Sequence, residues 1–537
     1  MLRAFLLFVT CASALAQSTA VLTAQYDNGR TGANLHETIL NPQNVASPRF
    51  GKLFVVPVDG DIYAQPLYVP NLNIPGKGTH DVVFIATEHD SVYALDAAGQ
   101  PREPLWRRSF VSPQDGVNPV PEMAVRCPFI SPEIGITSTP VIDAGSGTIY
   151  VLARTSQTTR GTTRFYQRLH ALDITTGAEK PGSPVLIRAV FKTPSIFGLS
   201  QHEITFHAIL ENPRAALLLA NGILYIAWGS SCDVGPYYGW VMAYDARSLR
   251  QVGVFNTAPD AGESGIWQSD AGIAADREGN VYAATGNGRF TAAANGRDYG
   301  DSVLKLGLAN GQFTVRDYFT PFNEHDLNAH DNDLGSSGPV LLPDEAGAGR
   351  RLLVVAGKAG VIYLVDRDRM GRFHTGADNH AVATLKAVGE GAFGAPAYWH
   401  GHLYYFECND VLKDFRVENG RLSHAPLHQG SYRFKDPGAI PAVSANGTND
   451  GVVWIVLTKG WQERIALHAA ILQAYDAKDV SHMLFSSDNR TEDWLGTPLR
   501  FAMTTVAGGR VYVGTKDALY VYGLRAATGM PKPHRKG

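Results

Sequence analysis

The chain has 537 residues and a formal net charge of −3, which argues against the strongly basic surface by which proteins hold nucleic acid. Charged residues make up 18% of the chain, below the roughly 25% of an average soluble domain. With 55 Gly and 22 Tyr, this composition is typical of a protein built from strands and turns.

The N-terminus has the pattern of a secretory signal peptide. Arg3 precedes an apolar run at 4–15, and Ala14 and Ala16 are small residues suited to signal peptidase. No later segment reaches the roughly 20 apolar residues of a membrane span, so we expect a secreted or periplasmic protein. The predicted divisions are residues 1–16 as signal peptide, 17–524 as the folded body and 525–537 as a basic, disordered tail.

One pattern recurs along the chain: an apolar strand that ends in a triplet resembling Ala-Leu-Asp, followed by a turn. Within 139–187 it forms the third of four short strands, at 139–143, 148–153, 168–173 and 184–187. Such a four-stranded meander is the unit of a propeller blade, and repeated all-β units close into a ring. Other copies end at Asp96, Asp245, Asp366 and Asp476. About eight units are present, which predicts an all-β fold: an eight-bladed β-propeller of four-stranded antiparallel blades.

The two ends of the ring must also meet. The segment 51–58 is strand-like and lies ahead of the first full blade. We expect it to pair as the outer strand of the last blade, because closure removes exposed sheet edges. The alternative is an isolated N-terminal hairpin.

Three cysteines remain after signal cleavage: Cys127, Cys232 and Cys408. One disulfide with one free thiol, or three buried thiols, are both compatible with this number. The chain contains no CxxC or CxxCH motif, so neither a zinc ribbon nor an attached c-type haem is indicated.

Two of the repeats carry a more specific motif. Ala-Leu-Asp at 94–96 is followed by Gly99 and Trp106, and Ala-Leu-Asp-Ile-Thr-Thr-Gly stands at 171–177. These stretches resemble the docking motif of pyrroloquinoline-quinone (PQQ)-like repeats, in which a Trp locks one blade to the next. The mature chain is similar to secreted bacterial proteins with a PQQ-like β-propeller.

The resemblance implies two kinds of function. Quinoprotein dehydrogenases of this type bind PQQ and a calcium ion in the central channel and oxidise alcohols or aldose sugars. Other relatives, such as the scaffold lipoprotein of outer-membrane protein assembly, bind no cofactor. The adjacent-cysteine disulfide that covers the cofactor in many of the alcohol dehydrogenases is missing from this sequence.

Candidate catalytic residues come from loops at the ends of blade strands. Asp270 is a candidate base or calcium ligand, and Glu133 and Lys358 lie at comparable positions in other blades. Trp267 and Gln268 are candidate cofactor-binding residues, since an indole ring stacks on a quinone or a sugar. The alternative is that Trp267 seals a blade interface while turn amides satisfy Asp270. If they face the channel, the three catalytic candidates converge.

A loop at 318–337 is rich in oxygen ligands of the kind that calcium prefers. Asp326, Asn328, Asp331 and Asp333 are the candidate metal ligands, although their spacing is not that of an EF-hand. The alternative is a polar turn whose side chains cap their own backbone.

The polar segment 25–34 is expected to fold across one mouth of the channel, with Asp27 and Arg30 paired. The alternative is simple ordering of an N-terminal arm. Long loops at 107–137, 188–214, 287–300 and 318–337 form the expected functional face, because loops on a rigid scaffold carry function.

Three functions remain open. The first is a scaffold that binds an unidentified protein or small-molecule ligand and needs no cofactor. The second is a PQQ- and calcium-dependent dehydrogenase, which would need an external electron acceptor because the chain has no haem site of its own. The third is a hydrolase or lyase that acts on saccharides at the channel mouth.

Overall fold

The chain folds into eight small antiparallel sheets arranged in a ring, the eight-bladed β-propeller that the repeats predict. The computed structural model describes residues 20–193, 201–378, 380–386, 391–433, 437–458 and 470–526. The predicted signal peptide at 1–16 lies outside these residues, as does nearly all of the predicted tail.

Each blade is a four-stranded meander, and the strands follow one another from the channel outward. Blade 1 contains Leu67–Ile74, Gly78–Ala86, Ser91–Asp96 and Trp106–Ser109. Blade 2 contains Val141–Asp143, Thr148–Thr159, Thr162–Asp173 and Val185–Leu186. Blade 3 contains Leu218–Ala220, Ile223–Ser230, Trp240–Asp245 and Gln251–Asn256. Blade 4 contains Ala274–Ala275, Val281–Ala284, Val303–Ala309 and Gln312–Phe319.

The second half of the ring repeats this order. Blade 5 contains Val340–Leu341, Leu352–Ala356, Val361–Asp366 and Ala383–Lys386. Blade 6 contains Ala397–Trp399, His402–Tyr405, Lys413–Glu418 and Arg421–Leu422, with His428–Gln429 also paired to its third strand. Blade 7 contains Ala442–Asn446, Asn449–Thr458, Ala470–Asp476 and Asp479–Ser486. Blade 8 contains Thr504–Ala507, Arg510–Thr515, Ala518–Leu524 and, from the start of the chain, Phe50–Pro57.

Short helices, 3₁₀ turns and additional strands lie outside the four strands of each blade. The α-helices are Pro42–Val45, Glu122–Val125 and Glu324–Ala329. The 3₁₀ turns are Pro113–Asp115, Gln268–Asp270, Ala292–Ala294, Leu334–Ser336, Asp344–Gly347, Ser487–Asn489 and Thr491–Asp493. The extra strands are Ala33–Asn34, Val117–Pro121, Glu133–Ile134, Val190–Lys192, Glu203–Thr205 and Glu211–Asn212. Within the described part of the chain, no helix is long and apolar enough to cross a membrane.

The aspartate of the repeated triplet caps the turn between the third and fourth strands. The Asp96 carboxylate accepts a hydrogen bond from the Ala98 amide at 2.8 Å. The Asp173 carboxylate accepts from the Thr175 and Thr176 amides at 2.9 and 3.1 Å. The same bond recurs at Asp245, Asp366 and Asp476. In these five blades the aspartate of the triplet therefore serves to close an Asx-type turn.

The docking motif joins neighbouring blades. Trp106 of blade 1 lies against Gly177 of blade 2, where an added Cβ would be 2.6 Å from the indole ring. Its Nε1 donates to the Ile174 carbonyl at 2.9 Å. At the next junction, the Phe54 ring of blade 8 lies against Gly99 of blade 1 in the same way.

The ring is closed by strands from the two ends of the chain. Phe50–Pro57 pairs antiparallel with Ala518–Leu524. The fully buried Asp493 accepts from the Lys52 amide at 2.8 Å and lies 2.8 Å from the Arg490 guanidinium. A buried carboxylate thus joins the strand Phe50–Pro57 to the segment that leads into blade 8.

The connections of the ring divide between two faces, because the strands of each blade alternate in direction. The loop face carries the connections between blades and those between second and third strands. The turn face carries the turns between first and second strands and between third and fourth strands.

The N-terminal arm, residues 21–34, hydrogen-bonds to the first strands of all eight blades. The bonds join Val21 to Tyr68, Leu22 to Ile142, Asn28 to Leu219 and Ala275, Gly29 to Leu341, Thr31 to Tyr398, Gly32 to Val443, and Asn34 to Val506.

Arg30 anchors this arm from a fully buried position. Its guanidinium donates to the carbonyl oxygens of Ala24, Leu217 and Ile273 at 2.8 to 3.1 Å. The expected pairing with Asp27 is not what holds it, since the Asp27 carboxylate accepts from Thr31 instead.

Candidate functional site

A cavity of about 530 Å³ opens on the loop face, where connections from most of the blades meet. Its walls come from the connections that lead into blades 2, 3, 4, 5, 6 and 8 and from two connections between second and third strands. This volume lies within the range of ligand pockets, about 300–1,000 Å³. The cavity is therefore the candidate functional site.

The floor of the cavity rests on the N-terminal arm. Ala24 packs in one apolar cluster with Ala216, Ile440 and Met503, and Phe501 packs against this cluster. Phe501 also lines the cavity. The arm therefore lies beneath the floor, and the loop face is the side from which the cavity opens.

Trp267 supplies an aromatic wall. A Cβ added at Gly229, Gly265 or Gly286 would lie 3.1, 2.6 or 2.7 Å from its indole ring. The ring therefore packs in space that is open only because these three residues have no side chain. Its Nε1 donates to the Ser230 carbonyl at 3.2 Å. The structure thus places Trp267 in the cavity wall, between blades 3 and 4.

Gln268 lies beside this wall. Its side chain is fully buried, and neither atom of its amide has a hydrogen-bond partner among the described residues. Its neighbours Trp267 and Ser269 both line the cavity. Asp270 ends the same 3₁₀ turn, and its side chain lies outside the part of the structure that is described.

Lys358 also lines the cavity, together with Asp331 and Asp333. Its ammonium group lies 2.8 Å from Asp331 and 2.5 Å from Asp333. Burial acts to lower the pKa of Lys358, but the two carboxylates outweigh burial and raise it. Lys358 is therefore a cation held by two acids.

The loop at 318–337 is more ordered than a simple polar turn. Asp326 is exposed on the helix Glu324–Ala329, and Asn328 accepts from the Gly288 amide at 2.9 Å. Only Asp331 and Asp333 of the four predicted metal ligands come together, around the Lys358 ammonium. No group of three or more His, Cys, Asp or Glu side chains suited to a metal occurs among the described residues.

Glu133 is placed apart from Lys358. Its carboxylate lies 2.8 Å from Nδ1 of His89, a contact that the sequence did not suggest. The neighbouring Ile134 lines the cavity, but Glu133 itself does not. The structure therefore brings together Trp267 and Lys358 but not Glu133.

Sequence reasoning missed two arginines in the cavity wall. The Arg214 guanidinium lies over the Phe501 ring at 4.8 Å and over the Tyr63 ring at 5.8 Å. The Arg500 guanidinium lies over the Phe129 ring at 4.5 Å. These residues are far apart in sequence, and only ring closure brings the connections that carry them side by side.

The disulfide was left open by the sequence and is resolved here. Cys127 and Cys232 are bonded and line the cavity, while Cys408 is a buried thiol. The bond ties the connection that leads into blade 2 to a loop of blade 3. It therefore fixes one wall of the site.

A buried ionisable cluster lies directly behind the cavity. Asn212 lines the cavity and accepts from the Arg154 guanidinium at 3.3 Å. The charges of Glu88, Asp90 and Glu211 all act on Arg154. Burial raises the pKa of Glu211 to about 8. These groups form a buried ionisable cluster beside the cavity wall.

One solved structure is similar to this chain over nearly its whole length. The quinohemoprotein alcohol dehydrogenase ADHIIG from Pseudomonas putida HK5 matches with a TM-score of 0.58 and 15% identity, over 97% of this chain and 82% of that one. The chain has the fold of a PQQ-like β-propeller. At this identity the likeness shows the fold and does not by itself carry over the activity.

Two further structures show weaker likeness. BamB from Moraxella catarrhalis has a TM-score of 0.48 at 12% identity, over 88% of this chain and 99% of that one. The computationally designed Ika8 protein has a TM-score of 0.46 at 11% identity, also over 88% and 99% of the two chains. No family model and no curated protein matches this PQQ-like propeller.

Proposed function

We propose that the propeller is a small-molecule-binding protein whose loop-face cavity holds a flat ligand against Trp267. The observation that carries this proposal is the Trp267 indole ring, which packs against three glycines in the wall of a 530 Å³ cavity. Apolar and aromatic walls with a few convergent polar groups are typical of small-molecule sites. We further propose, from the N-terminal sequence, that the protein acts outside the cytoplasm.

A small ligand fits these observations better than a docked protein does. The cavity is concave, its floor is closed by the N-terminal arm, and its wall is fixed by the Cys127–Cys232 bond. Such pre-formed walls favour a ligand that is largely enclosed, since little ordering remains to be done on binding.

A PQQ-dependent dehydrogenase is the second candidate. The site fits a quinone, because Trp267 offers a stacking face and the buried amide of Gln268 has no partner in the described residues. When bound, PQQ would accept electrons from an alcohol or an aldose and pass them to an external acceptor. The fit to calcium is poor, since the carboxylates of Asp331 and Asp333 are already paired with the Lys358 ammonium group.

In this second function the protein's own residues would mainly bind and orient the cofactor. Trp267 would orient the ring and Lys358 would hold positive charge beside it, whereas Gln268 does not itself line the cavity. The disulfide and the closed floor would limit the access of water to the site.

Titration tests the binding proposal with two flat probes, 2-naphthoate and 2-naphthamide, and with PQQ in the presence and absence of calcium. We expect at least one to bind in a 1:1 ratio. Stacking on an aromatic side chain is worth about 1–3 kcal/mol, so Trp267→Ala should weaken that binding about fivefold or more.

The matched pair Trp267→Phe and Trp106→Phe controls for folding, since Trp106 lies at a blade junction outside the cavity. Only the change at Trp267 should alter affinity. Failure of all three probes to bind wild-type protein would overturn the proposal. Dye reduction with alcohols or aldoses, seen only with retained PQQ, would favour the dehydrogenase.

A further inference from the structure

A long segment of blade 5 lies along the outer strand of blade 4. Residues 367–382, here called the strap, connect the third and fourth strands of blade 5. The Arg372 amide donates to the Tyr318 carbonyl at 2.8 Å, and the Thr320 amide donates to the Arg372 carbonyl at 2.9 Å. The strap therefore adds its own backbone to the edge of a neighbouring blade.

The tip of the strap holds the connection that follows this outer strand. The Asp378 carboxylate accepts from the Phe322 amide at 2.7 Å. From Phe322 the chain runs through the helix Glu324–Ala329 to Asp331 and Asp333, which line the cavity. The strap thus secures the start of a cavity wall segment, although no described residue of the strap lines the cavity itself.

Two histidines stack within the strap. The ring centroids of His374 and His380 lie 4.7 Å apart with their planes inclined by 16°, and the His380 ring packs on Phe319 of blade 4 at 4.9 Å. A Cβ added at Gly371 would lie 2.7 Å from the His380 Cβ, so the glycine gives the histidine its space. Both ring nitrogens of His380 are buried and have no hydrogen-bond partner among the described residues. This position suits the neutral ring, because a charge there would be poorly solvated.

The charges on the strap do not compensate for this burial. Burial has the largest effect and lowers the pKa of His380 below its usual value. The charge of Asp378 opposes this shift, whereas that of His374 adds to it. Protonation of His380 is therefore unfavourable while the strap lies on blade 4, and a second charge on His374 would repel the first.

The neighbouring blades offer no better counterion. Blade 4 faces the His380 ring with Phe319, and Tyr363 of blade 5 packs on Phe319 at 5.1 Å. The carboxylate of Asp317 in blade 4 lies 3.9 Å from the Arg372 guanidinium of the strap and is matched by it. The histidine pair is thus enclosed by aromatic rings and by charges that already have partners.

We propose that the strap is a pH-sensitive switch: protonation of the two stacked histidines releases it from blade 4 and loosens the wall segment 320–333 of the cavity. The sign follows from linkage, since the released strap binds protons more readily than the strap on blade 4. The hold of the strap is complete well above pH 6.5, the ordinary pKa of histidine, and declines as the pH falls through that value. The switch does not depend on which ligand the cavity takes.

Hydrogen exchange measured by mass spectrometry tests the switch, with each rate expressed relative to that of an unstructured peptide at the same pH. Between about pH 7.5 and about pH 5 we expect protection to fall severalfold in 370–378 and in 320–333, while the inner strand Leu352–Ala356 stays protected. His380→Phe keeps the stacking and cannot take a proton, so it should keep the strap protected at the lower pH. His374→Phe should reduce the pH response.

His482→Phe is the matched control, since His482 is an exposed histidine of blade 7 that lies 3.6 Å from Asp479. It should leave the pH response of the strap unchanged. If His380→Phe does not fold, His374→Phe and the pH profile of wild-type protein carry the same test.

Three results would overturn the switch. The first is protection of the strap that does not change with pH in wild-type protein. The second is a loss at acidic pH that is equally large in the variants at His380 and His374. The third is a loss shared by Leu352–Ala356, which indicates global unfolding. If the strap opens while 320–333 stays protected, the coupling to the cavity wall is wrong.

Discussion

Single close contacts decide where one blade meets the next. At Gly177 the backbone has a φ of +70°, and the Trp106 ring occupies the space that a side chain would fill. Glycine is needed here for two separate reasons, the left-handed backbone and the approach of the indole. The repeat motif can thus be explained by contact as well as by turn geometry.

Gly177→Ala should therefore destabilise the protein more than the backbone cost alone. That cost is about 1–2 kcal/mol for a non-glycine residue in the left-handed region, and overpacking against Trp106 adds about 1–3 kcal/mol. Urea unfolding measures the loss.

Gly222→Ala supplies the comparison, since Gly222 has a φ of +75° but nothing within 4 Å of an added Cβ. It should show the backbone cost alone. Equal losses in the two variants would mean that the Trp106 contact contributes nothing to stability.

At the scale of elements, the loop at 318–337 shows how one side chain can change the chemistry of a segment. The segment has the oxygen-rich composition that favours calcium, and its two best-placed acids, Asp331 and Asp333, do converge. Lys358, from the next blade, supplies the positive charge between them. The ammonium group stands where the sequence predicts a metal ion.

Lys358→Met should accordingly create a calcium response. Without the ammonium group the two carboxylates repel each other, and a divalent cation relieves that repulsion. We expect calcium to raise the thermal unfolding temperature of the variant and to have little effect on wild-type protein. Lys192→Met, at an exposed ion pair with Glu203, should show no such response. Calcium stabilisation of wild-type protein equal to that of the variant would contradict this interpretation.

The sequence predicted the elements well where a local rule sets them. The blade at 139–187 has its four strands in the predicted order, because turn residues punctuate it. Its middle hairpin, Thr148–Thr159 with Thr162–Asp173, is longer than expected. Polar residues remain in strand there because Val117–Pro121 pairs with the extension, a contact that no local pattern signals.

The cavity wall was less predictable, because contacts between residues distant in sequence form it and no local pattern signals such contacts. Trp267 and Lys358, which both line the cavity, were among the candidates because each lies in a loop next to a recognisable strand. Arg214 and Arg500 were missed because their partners Phe501 and Phe129 come from distant connections. Only the closed ring brings such residues together.

At the scale of the whole molecule, closure depends on a buried charge. Asp493 joins Lys52, Arg490 and Arg525 across the junction between the strand Phe50–Pro57 and the rest of blade 8. Removing a buried partner from such a network is strongly destabilising, because the remaining charges lose their counterpart.

Asp493→Ala should therefore cost about 3 kcal/mol of unfolding free energy. Asp368→Ala removes a carboxylate that pairs with Arg351 near the surface, and exposed pairs contribute at most about 1 kcal/mol. Chemical denaturation of both variants provides the comparison. A loss at Asp493 no larger than that at Asp368 would show that this network does not hold the ring closed.

The N-terminal arm also constrains the order of folding. Residues 21–34 leave the ribosome before any blade has been made, yet one of their bonds goes to Val506 in blade 8. Contacts of such sequence separation form slowly, because a long loop must close before they do. The N-terminal arm of the nascent protein therefore lacks some of its hydrogen-bond partners until blade 8 has been made. A chain truncated before blade 8 would leave the Asn34 end of the arm without its bond to that blade.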